Sequence, residues 1–365
     1  MKEINFAVVG LGHRGRNMFQ LGCKVAEKIN PVAACDIDSQ LWFQSQRNEK
    51  PLSETFCDTK FYEDFEAMLE HEKIDVLLVE TPAHLHAEFC AKALKKNINV
   101  LSDIPLVRNY EEAQMLWNAS NESKAILMTG ANPNEWGFVE AMHDLYKQGL
   151  LGNPFYLEAE YIHDLRCLWK ETPWRKTLQP IKYCTHSLGP LLKLLPEDEI
   201  IQVSSISTGS HICKEEDQHD LMTAHFSTQN NVVIRLTISF INEAKCGSHS
   251  YRVFGTEGYF EHLSERGSYP ARTMFNSKKL YGTNKLTELP ISFARTEFNN
   301  VCQNTGHGGA DYVLFHDFFN ALRSGNHEKI ITLKDGLRMT LPGIFAAESA
   351  NNNGKITQIS YPWNH

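Results

Sequence analysis

The sequence lacks several features that would point to a nucleic-acid or membrane partner. Its 365 residues include 36 Lys and Arg against 44 Asp and Glu, a formal net charge of −8. Without a basic excess, neither nucleic acid nor an acidic membrane surface is expected as a partner, since both attract clustered cations. No run approaches the roughly eighteen apolar residues of a membrane-spanning helix. We therefore expect a globular protein that binds neither nucleic acid nor a membrane.

Paired cysteine motifs are also missing. The nine cysteines are odd in number and show no CxxC spacing. Several lie in apolar runs, as Cys23, Cys35, Cys90 and Cys184 do. This distribution predicts reduced thiols that pack as small apolar side chains, and hence a cytoplasmic protein. The chain enters its first predicted strand at once, so we expect no secretory leader.

No metal site and no nucleophile elbow are predicted. His211, Cys213 and His219 are close in sequence but lack the short repeated spacing of a zinc site, so surface histidines are expected. The GxSxG pattern does not occur. A conventional glycosidase is defined by the spatial separation of two carboxylates, which a sequence does not give.

The chain does contain a glycine-rich turn directly after its first apolar run. Residues 4–9 are followed by Gly10, Gly12 and Gly15. The pattern predicts a strand, a tight turn and a helix N-terminus. Gly10 permits the turn, Gly12 lets phosphate oxygens approach the backbone, and Gly15 lets the helix lie close to its strand. The helix dipole would favour a pyrophosphate there, although a surface turn has the same composition.

A second apolar run ends in a carboxylate, Asp36, roughly twenty residues beyond the turn, where a dinucleotide fold places an acceptor for ribose hydroxyls. A ribose 2′-phosphate would meet a like charge there, and residues 37–39 supply no arginine. NAD is therefore favoured over NADP. A simple turn carboxylate is the alternative.

Strands and helices alternate up to about residue 130. This predicts an α/β architecture whose N-terminal part is a Rossmann fold with a doubly wound parallel sheet. The predicted elements are a helix of about ten residues after Asp36, an acidic helix at 62–71, strands at 74–80, 98–101 and 125–128, and a helix at 109–120.

From about residue 131 long β-rich runs predict an α+β domain with a large, mostly antiparallel sheet that is open on one face. We expect an NAD-binding domain over 1–130 and a substrate-binding and oligomerisation domain over 131–365. The C-terminal helical patterns, 310–322 and 334–351, would pack on this sheet or return to the first domain. The open face would associate with a copy of itself as a dimer or tetramer, and the ligand would lie in the cleft between the domains.

Three further segments carry a family resemblance: Thr81-Pro82 with His86, an acid-x-proline at residues 103–105, and residues 185–190. With the glycine turn and Asp36, the chain resembles the Gfo/Idh/MocA family of NAD(P)-dependent sugar oxidoreductases over nearly its whole length. That family usually has Glu-Lys-Pro after strand five, with the lysine beside the reacting hydroxyl. Here Ile104 replaces it and has no acid–base chemistry.

Four segments, residues 161–166, 174–175, 183–190 and 306–311, are similar to the NAD-dependent α-N-acetylgalactosaminidase branch of the same family. That branch also carries an apolar residue at the lysine position. The resemblance implies NAD as cofactor and a sugar or glycoside as substrate. It leaves open net oxidation of a secondary hydroxyl, redox-neutral glycoside hydrolysis, or a nucleotide-binding sensor without catalysis.

Histidine is the residue type best suited to exchange a proton near neutral pH, and His186 is the main candidate. Tyr183 lies three residues earlier, on the same face of a helix if one begins there, before a turn at Gly189-Pro190. Tyr161 and His163 are expected on one face of a strand, where they would hydrogen-bond sugar hydroxyls. The predicted catalytic residues are His186, Tyr183, His163 and Tyr161. The predicted cofactor-binding residues are Gly10, Gly12, His13, Arg14, Gly15, Asp36, Thr81, Pro82, His86, Asp103, Pro105, Asn132 and Arg175.

Other interpretations of these residues remain open. His186 also suits a core or helix-capping position, and Tyr161 with His163 a solvated edge strand. Asn132 either contacts the nicotinamide side or caps a helix. His307 and Asp311 either contact a ligand or cap a helix. Trp169 and Trp174 either stack on a sugar ring or fill a core.

Overall fold

The computed structural model describes residues 3–46, 49–170, 172–212, 219–243, 247–280, 285–302 and 305–364. Cys213 and the side chain of Trp174 lie outside the described part. The chain forms two compact units, residues 1–131 with 300–337, and residues 132–299 with 338–365. The sequence division places all of 131–365 in one domain, whereas the contacts assign 300–337 to the first unit.

The secondary structure of the described residues alternates and then becomes β-rich. The strands are β1 (Ile4–Val9), β2 (Ile29–Cys35), β3 (Lys60–Tyr62), β4 (Val76–Val79), β5 (Asn99–Ser102), β6 (Leu127–Thr129), β7 (Pro154–Ile162), β8 (Ile200–Ser207), β9 (Leu221–Thr228), β10 (Val233–Ser239), β11 (Ser248–Gly255), β12 (Gly258–Leu263), β13 (Arg272–Ser277), β14 (Thr287–Leu289) and β15 (Thr357–Gln358). The α-helices are α1 (His13–Val25), α2 (Gln40–Phe43), α3 (Leu52–Thr55), α4 (Phe65–His71), α5 (Ala83–Lys95), α6 (Tyr110–Asn121), α7 (Gly137–Lys147), α8 (Thr185–Leu192), α9 (Asn299–Cys302), α10 (Ala310–Ser324) and α11 (Leu333–Asn351). None of these helices is long and apolar enough to cross a membrane.

The first unit is built on a six-stranded sheet in the order β3-β2-β1-β4-β5-β6, and its strand pairs are parallel. The strand order reverses between β1 and β4, which is where doubly wound sheets bind their ligands. Both central strands are buried along their length, as parallel strands covered on both faces must be. The predicted Rossmann architecture is confirmed.

Aromatic packing explains why α10 belongs to the first unit. The ring of Phe6 on β1 lies 5.5 Å from that of Phe19 on α1, and 6.1 and 5.9 Å from those of Phe315 and Phe319 on α10. All four side chains are fully buried. Burying a phenylalanine contributes about 1.5–3 kcal/mol, so this cluster holds α10 firmly against β1.

The second unit contains a nine-stranded sheet in the order β14-β13-β12-β11-β7-β10-β9-β8-β15. Among the strands that the structure describes in this sheet, β7 and β10 pair in parallel and the other pairs are antiparallel. Along β7, Leu157, Ala159 and Tyr161 are buried while Glu158 and Glu160 are partly exposed. This alternation shows that one face is covered, so the predicted open-faced, mostly antiparallel sheet is confirmed.

Two predicted helices near the first strands are shorter than expected. The ten-residue helix after Asp36 is wrong, because α2 covers only Gln40–Phe43. One turn is enough to bury Trp42, whose ring stacks on Phe61 at 5.9 Å, and the chain then becomes extended at Gln44. The acidic helix begins at Phe65 rather than 62, since residues 60–62 form an edge strand and Asp64 caps α4.

Candidate functional site

The glycine-rich turn joins the end of β1 to the start of α1. Gly10 has φ +93°, and a Cβ there would lie 2.6 Å from the Glu80 carbonyl. A Cβ at Gly15 would lie 2.0 Å from the Gly10 carbonyl oxygen, so glycine is what lets α1 approach β1. A Cβ at Gly12 would meet no described atom within 4 Å outside its chain neighbours. This open space faces the first turn of α1, which begins at the exposed His13, and it fits a pyrophosphate.

Asp36 is held beside this turn. Its Oδ2 accepts a hydrogen bond from the Leu11 N–H at 2.6 Å, and its Oδ1 accepts one from the Asp38 N–H at 3.0 Å. A carboxylate has further lone pairs for ribose hydroxyls. The neighbouring Ile37, 91% exposed, offers an apolar surface suited to an adenine ring. Sequence reasoning did not select it, because an apolar residue after a strand carries no positional signature.

The loops after β4 and β5 are tied together by His86. The imidazole is buried, with Nε2 2.7 Å from the Thr81 carbonyl oxygen and Nδ1 2.9 Å from that of Pro105. Both ring nitrogens therefore face the loops themselves, and His86 holds the backbone of Thr81 and Pro105 in place. Ile104, which precedes Pro105, is also buried.

Arg14 is surrounded by carboxylates. Its Nη1 and Nη2 donate to Asp311 Oδ2 and Oδ1 at 3.2 and 3.1 Å, and its Nε lies 3.4 Å from Asp103 Oδ1 and 3.7 Å from Glu80 Oε2. Burial alone would lower the pKa of Arg14, but Asp103, Asp311 and Glu80 raise it well above its ordinary value. Its side chain is thus committed to these acids, and only its backbone remains for the predicted cofactor contact.

The pKa values of two acids around Arg14 are shifted in opposite directions. Burial would raise the pKa of Asp311, but Arg14 and a hydrogen bond from His307 hold it well below its usual range. Burial, followed by the proximity of Asp103, raises the pKa of Glu80 well above its usual range. Asp311 is the second residue of α10, whose N-cap is Gly309, so it is not the helix cap that the sequence left open.

The second unit brings together three of the four predicted catalytic side chains. The ring centroids of Tyr161 and Tyr183 lie 5.7 Å apart, those of Tyr161 and His186 5.3 Å, and those of Tyr183 and His186 4.9 Å. All three side chains are buried. Burial, together with the nearby Tyr183, raises the pKa of Tyr161 well above its ordinary value, so its hydroxyl is a hydrogen-bond donor at neutral pH.

The predicted turn at Gly189-Pro190 is wrong, because α8 continues through Pro190. Proline has no N–H, so it cannot donate to the carbonyl of His186 four residues earlier. The hydroxyl of Tyr251 on β11 donates to that carbonyl instead, at 2.7 Å. The backbone of His186 is therefore fixed from the sheet as well as from its helix.

His163 is the exposed member of the four, and it lies one residue beyond β7, which ends at Ile162. Its ring centroid lies 5.8 Å from that of Tyr161, and its Nδ1 lies 3.0 Å from the Tyr161 hydroxyl. The two side chains are therefore adjacent, although His163 is not part of the strand. Arg166 pairs with Asp164 and Glu243.

Sequence reasoning missed His249, which lies directly opposite Tyr161 in the β7–β11 pairing, with ring centroids 4.6 Å apart. Cross-strand register depends on the whole sheet, so no local pattern marks it. The predicted cofactor contact Arg175 belongs to this unit, with its guanidinium carbon 5.9 Å from the Tyr183 ring. It lines a small depression with the half-buried Trp169 and Phe240. Asn132 is buried at the start of a 3₁₀ helix.

Solved structures resemble this chain in fold. A levoglucosan dehydrogenase in complex with NADH and L-sorbose superposes with a TM-score of 0.78 at 16% identity, covering 99% of this chain and 100% of that one. A myo-inositol 2-dehydrogenase from Lactobacillus plantarum superposes with a TM-score of 0.74 at 17% identity, covering 98% and 100%.

Relatives known by sequence include an alpha-N-acetylgalactosaminidase from Shewanella oneidensis, 22% identical over 100% of this chain and 87% of the relative. A glycosyl hydrolase family 109 protein from Saccharopolyspora erythraea is 23% identical over 96% and 82%. The family model for an oxidoreductase family with an NAD-binding Rossmann fold matches residues 4–131, and that for the C-terminal alpha/beta domain matches residues 144–357. The chain therefore belongs to the Gfo/Idh/MocA oxidoreductase family and carries its NAD-binding Rossmann fold.

Proposed function

We propose that this protein is an NAD-dependent enzyme that oxidises a secondary hydroxyl of a sugar or glycoside. The observation that carries the proposal is the buried cluster of Tyr161, Tyr183 and His186, in a chain that also has the cofactor turn. Such a cluster combines an imidazole with hydroxyl donors, which are the groups needed to orient a sugar hydroxyl and take its proton. The dehydrogenases of similar fold are consistent with this chemistry.

The cofactor would be held by the first unit. Backbone N–H groups after Gly12 would bind the pyrophosphate, and Asp36 would accept hydrogen bonds from the ribose hydroxyls. When bound, NAD accepts the hydrogen that leaves the carbinol carbon with its electron pair. The proposed chemistry therefore requires no redox-active side chain.

The hydroxyl proton would be taken by the second unit. His186 is the acceptor, because imidazole exchanges protons near neutral pH and the Tyr251 contact fixes its backbone. Tyr161 remains protonated and donates a hydrogen bond to the developing alkoxide oxygen. Ile104 leaves the family's usual lysine route unavailable.

A second candidate is redox-neutral glycoside hydrolysis, favoured by Ile104 and by the names of the curated relatives. In this reaction the C3 hydroxyl of the sugar becomes a ketone, which acidifies the C2 proton. A base removes that proton and the C1 substituent leaves. Water then adds at C1, and the ketone is reduced again, so the overall reaction consumes no cofactor.

The two candidates are separated by purifying the protein, measuring retained NAD by mass spectrometry, and assaying free sugars and nitrophenyl glycosides side by side. A dehydrogenase accumulates NADH with a free sugar. A hydrolase releases nitrophenol without net change at the nicotinamide absorbance band. If neither signal is observed with any substrate, both candidates are contradicted and a sensor without catalysis remains.

The role of His186 is tested with His186→Gln, which we expect to lower turnover at least 100-fold while NADH binding stays within a few-fold. His225→Gln is the control, since this exposed histidine lies on the other face of the sheet. Full activity in His186→Gln would remove the imidazole from the mechanism.

We also propose that the outer face of the nine-stranded sheet associates with a second copy. A row of alternating charges, Arg235, Glu158, Arg252 and Glu261, crosses four paired strands on this face. Alternating charge is self-complementary under a two-fold axis. Analytical ultracentrifugation is expected to give a dimer or tetramer, dissociated by Arg252→Glu; a monomer in the unsubstituted protein would contradict this.

A further inference from the structure

The first unit contains an imidazole–carboxylate pair that the proposed mechanism does not use. His307 Nδ1 lies 2.9 Å from Asp311 Oδ2, and both belong to the segment that leads into α10. The Asp311 side chain is 5% exposed, whereas the His307 side chain is 46% exposed. The pair therefore has a buried carboxylate end and an accessible imidazole end.

The carboxylate is held rigidly. The guanidinium fork of Arg14 binds both oxygens of Asp311, from a residue 297 positions away in the chain. An ionised carboxylate only accepts hydrogen bonds, so the hydrogen between Asp311 and His307 lies on Nδ1 of His307. The neutral imidazole then has its proton-accepting lone pair on Nε2. In serine-protease triads, a buried aspartate likewise accepts a hydrogen bond from Nδ1 of the histidine and fixes its tautomer and orientation.

The backbone around His307 is unusual. His307, Gly308 and Gly309 have φ of +54°, +65° and +93°, three successive residues in the left-handed region. Residues other than glycine adopt this conformation uncommonly, although histidine does so more often than most. A Cβ at Gly306 would lie 2.2 Å from Asp311 Oδ2, so the chain there passes directly over the carboxylate. The loop is shaped around Asp311, and His307 is placed by it.

The position of the pair in the sheet identifies the half of the cofactor that it serves. Arg14, which binds Asp311, also lies beside Glu80 and Asp103, which follow β4 and β5. Asp36 follows β2, and the sheet order is β2-β1-β4-β5. The pair and the ribose carboxylate are thus on opposite sides of the β1 turn. A dinucleotide that crosses this switch point with its adenosine at β2 has its nicotinamide half at β4 and β5.

We propose that His307 is a second proton-transfer residue, which exchanges a proton through Nε2 with an oxygen of the sugar at the nicotinamide half, and that Asp311 is its positioning residue. This proposal rests on the proposed function. Oxidation of the alcohol breaks the C–H and O–H bonds and forms C=O; the hydride would pass to bound NAD, and one proton would remain on the chain. Elimination breaks C2–H and C1–O, forms C1=C2, and requires a proton for the departing oxygen. Each of these oxygens needs its own proton-transfer group, and His307 would serve one of them.

The kinetic test compares His307→Gln with His316→Gln in the full-length protein. His316 is a matched control on α10, with Nδ1 2.8 Å from Asp317 Oδ1, but its ring stacks on Tyr312. We expect His307→Gln to lower kcat about 100-fold with the NADH dissociation constant within about three-fold, and His316→Gln to change neither. Unchanged kcat in His307→Gln, or loss of NADH binding, would overturn the proposal.

Asp311→Asn tests positioning. It should lower kcat by less than His307→Gln does, leave KM within about two-fold, and alter the pH profile of kcat, because the amide can donate to Nδ1 and so permit the other tautomer. A variant that merely loses stability would lower the folded fraction without altering the profile. An unaltered profile with reduced kcat would therefore assign Asp311 a structural role and overturn this part of the proposal.

An NMR arm keeps the proposal testable if no sugar is turned over, in which case the proposed function itself fails. Protein labelled with ¹⁵N-histidine is titrated with NADH as the probe. We expect His307 in the Nδ1–H tautomer and its resonances to shift on NADH addition by more than those of His316. The other tautomer, or no shift, would overturn the proposal independently of any activity assay.

Discussion

The hydrogen bond from Tyr251 to the carbonyl of His186 gives a quantitative test of how α8 holds its imidazole. The carbonyl has no donor from Pro190, and both side chains are buried. Tyr251→Phe removes the donor that the sheet supplies to this oxygen. Removing the donor to a buried carbonyl costs about 1–3 kcal/mol, so the free energy of unfolding should fall by that amount.

A double-mutant cycle tests whether Tyr251 replaces the helical donor that Pro190 lacks. Pro190→Ala restores an N–H four residues after His186, which can close the missing helical hydrogen bond. In that background Tyr251→Phe should cost no more than about 1 kcal/mol, because the carbonyl keeps a partner. The change in unfolded-chain entropy caused by Pro190→Ala is common to both arms and cancels. Urea unfolding followed by circular dichroism and tryptophan fluorescence measures all four proteins.

The control is Tyr361→Phe, since Tyr361 is equally buried and donates to the Ile200 carbonyl at 3.1 Å. It should be destabilising to a similar degree in both backgrounds. An equal cost of Tyr251→Phe with proline and with alanine at position 190 would refute the idea that the tyrosine replaces the missing helical donor. We also expect Tyr251→Phe, but not Tyr361→Phe, to lower kcat.

Three further outcomes follow from the geometry. Gly15→Ala should lower both the free energy of unfolding and the affinity for NADH, since its Cβ would lie 2.0 Å from the Gly10 carbonyl oxygen. Gly12→Ala should leave stability unchanged and weaken NADH binding at least ten-fold. Equal stability of the two variants in thermal unfolding would contradict this expectation. Asp36→Ser should raise NADPH affinity relative to NADH in fluorescence titrations, because the repulsion of a 2′-phosphate is removed; an unchanged ratio would place the ribose elsewhere. Burial would raise the pKa of Glu158, but hydrogen bonds from Arg235 and other neighbours lower it to about 2. The stabilisation that the Glu158 carboxylate contributes is therefore complete above the pKa of about 4.3 in the unfolded chain, and it is lost as the pH falls towards 2. In urea titrations, Glu158→Gln should be less stable than the unsubstituted protein at pH 7 and should lose less stability on acidification.

The elements that local sequence determined are those whose physical causes lie within a few residues. The glycine spacing after β1 specifies a turn because each glycine answers a steric demand of its immediate neighbours. The helix predicted at 109–120 is α6, whose first turn is capped by the Asn109 side chain. The four late strands β12–β15 were not predicted. They are short and rich in polar residues, and they become strands only by pairing with a sheet already formed.

The candidate site depends on both the local sequence and the tertiary structure. Sequence alone supplied Asp36, Tyr161, Tyr183 and His186 as chemically suitable groups, and it supplied the absence of lysine at Ile104. It could not pair Arg14 with Asp311 across 297 residues, place His249 opposite Tyr161, or set Tyr251 beneath His186. Those contacts are created by strand register and by the return of α10 to the first sheet. Residue types thus determined which chemistry the chain can perform, while only the tertiary structure decided which groups meet, because contacts between distant segments depend on how the whole core packs.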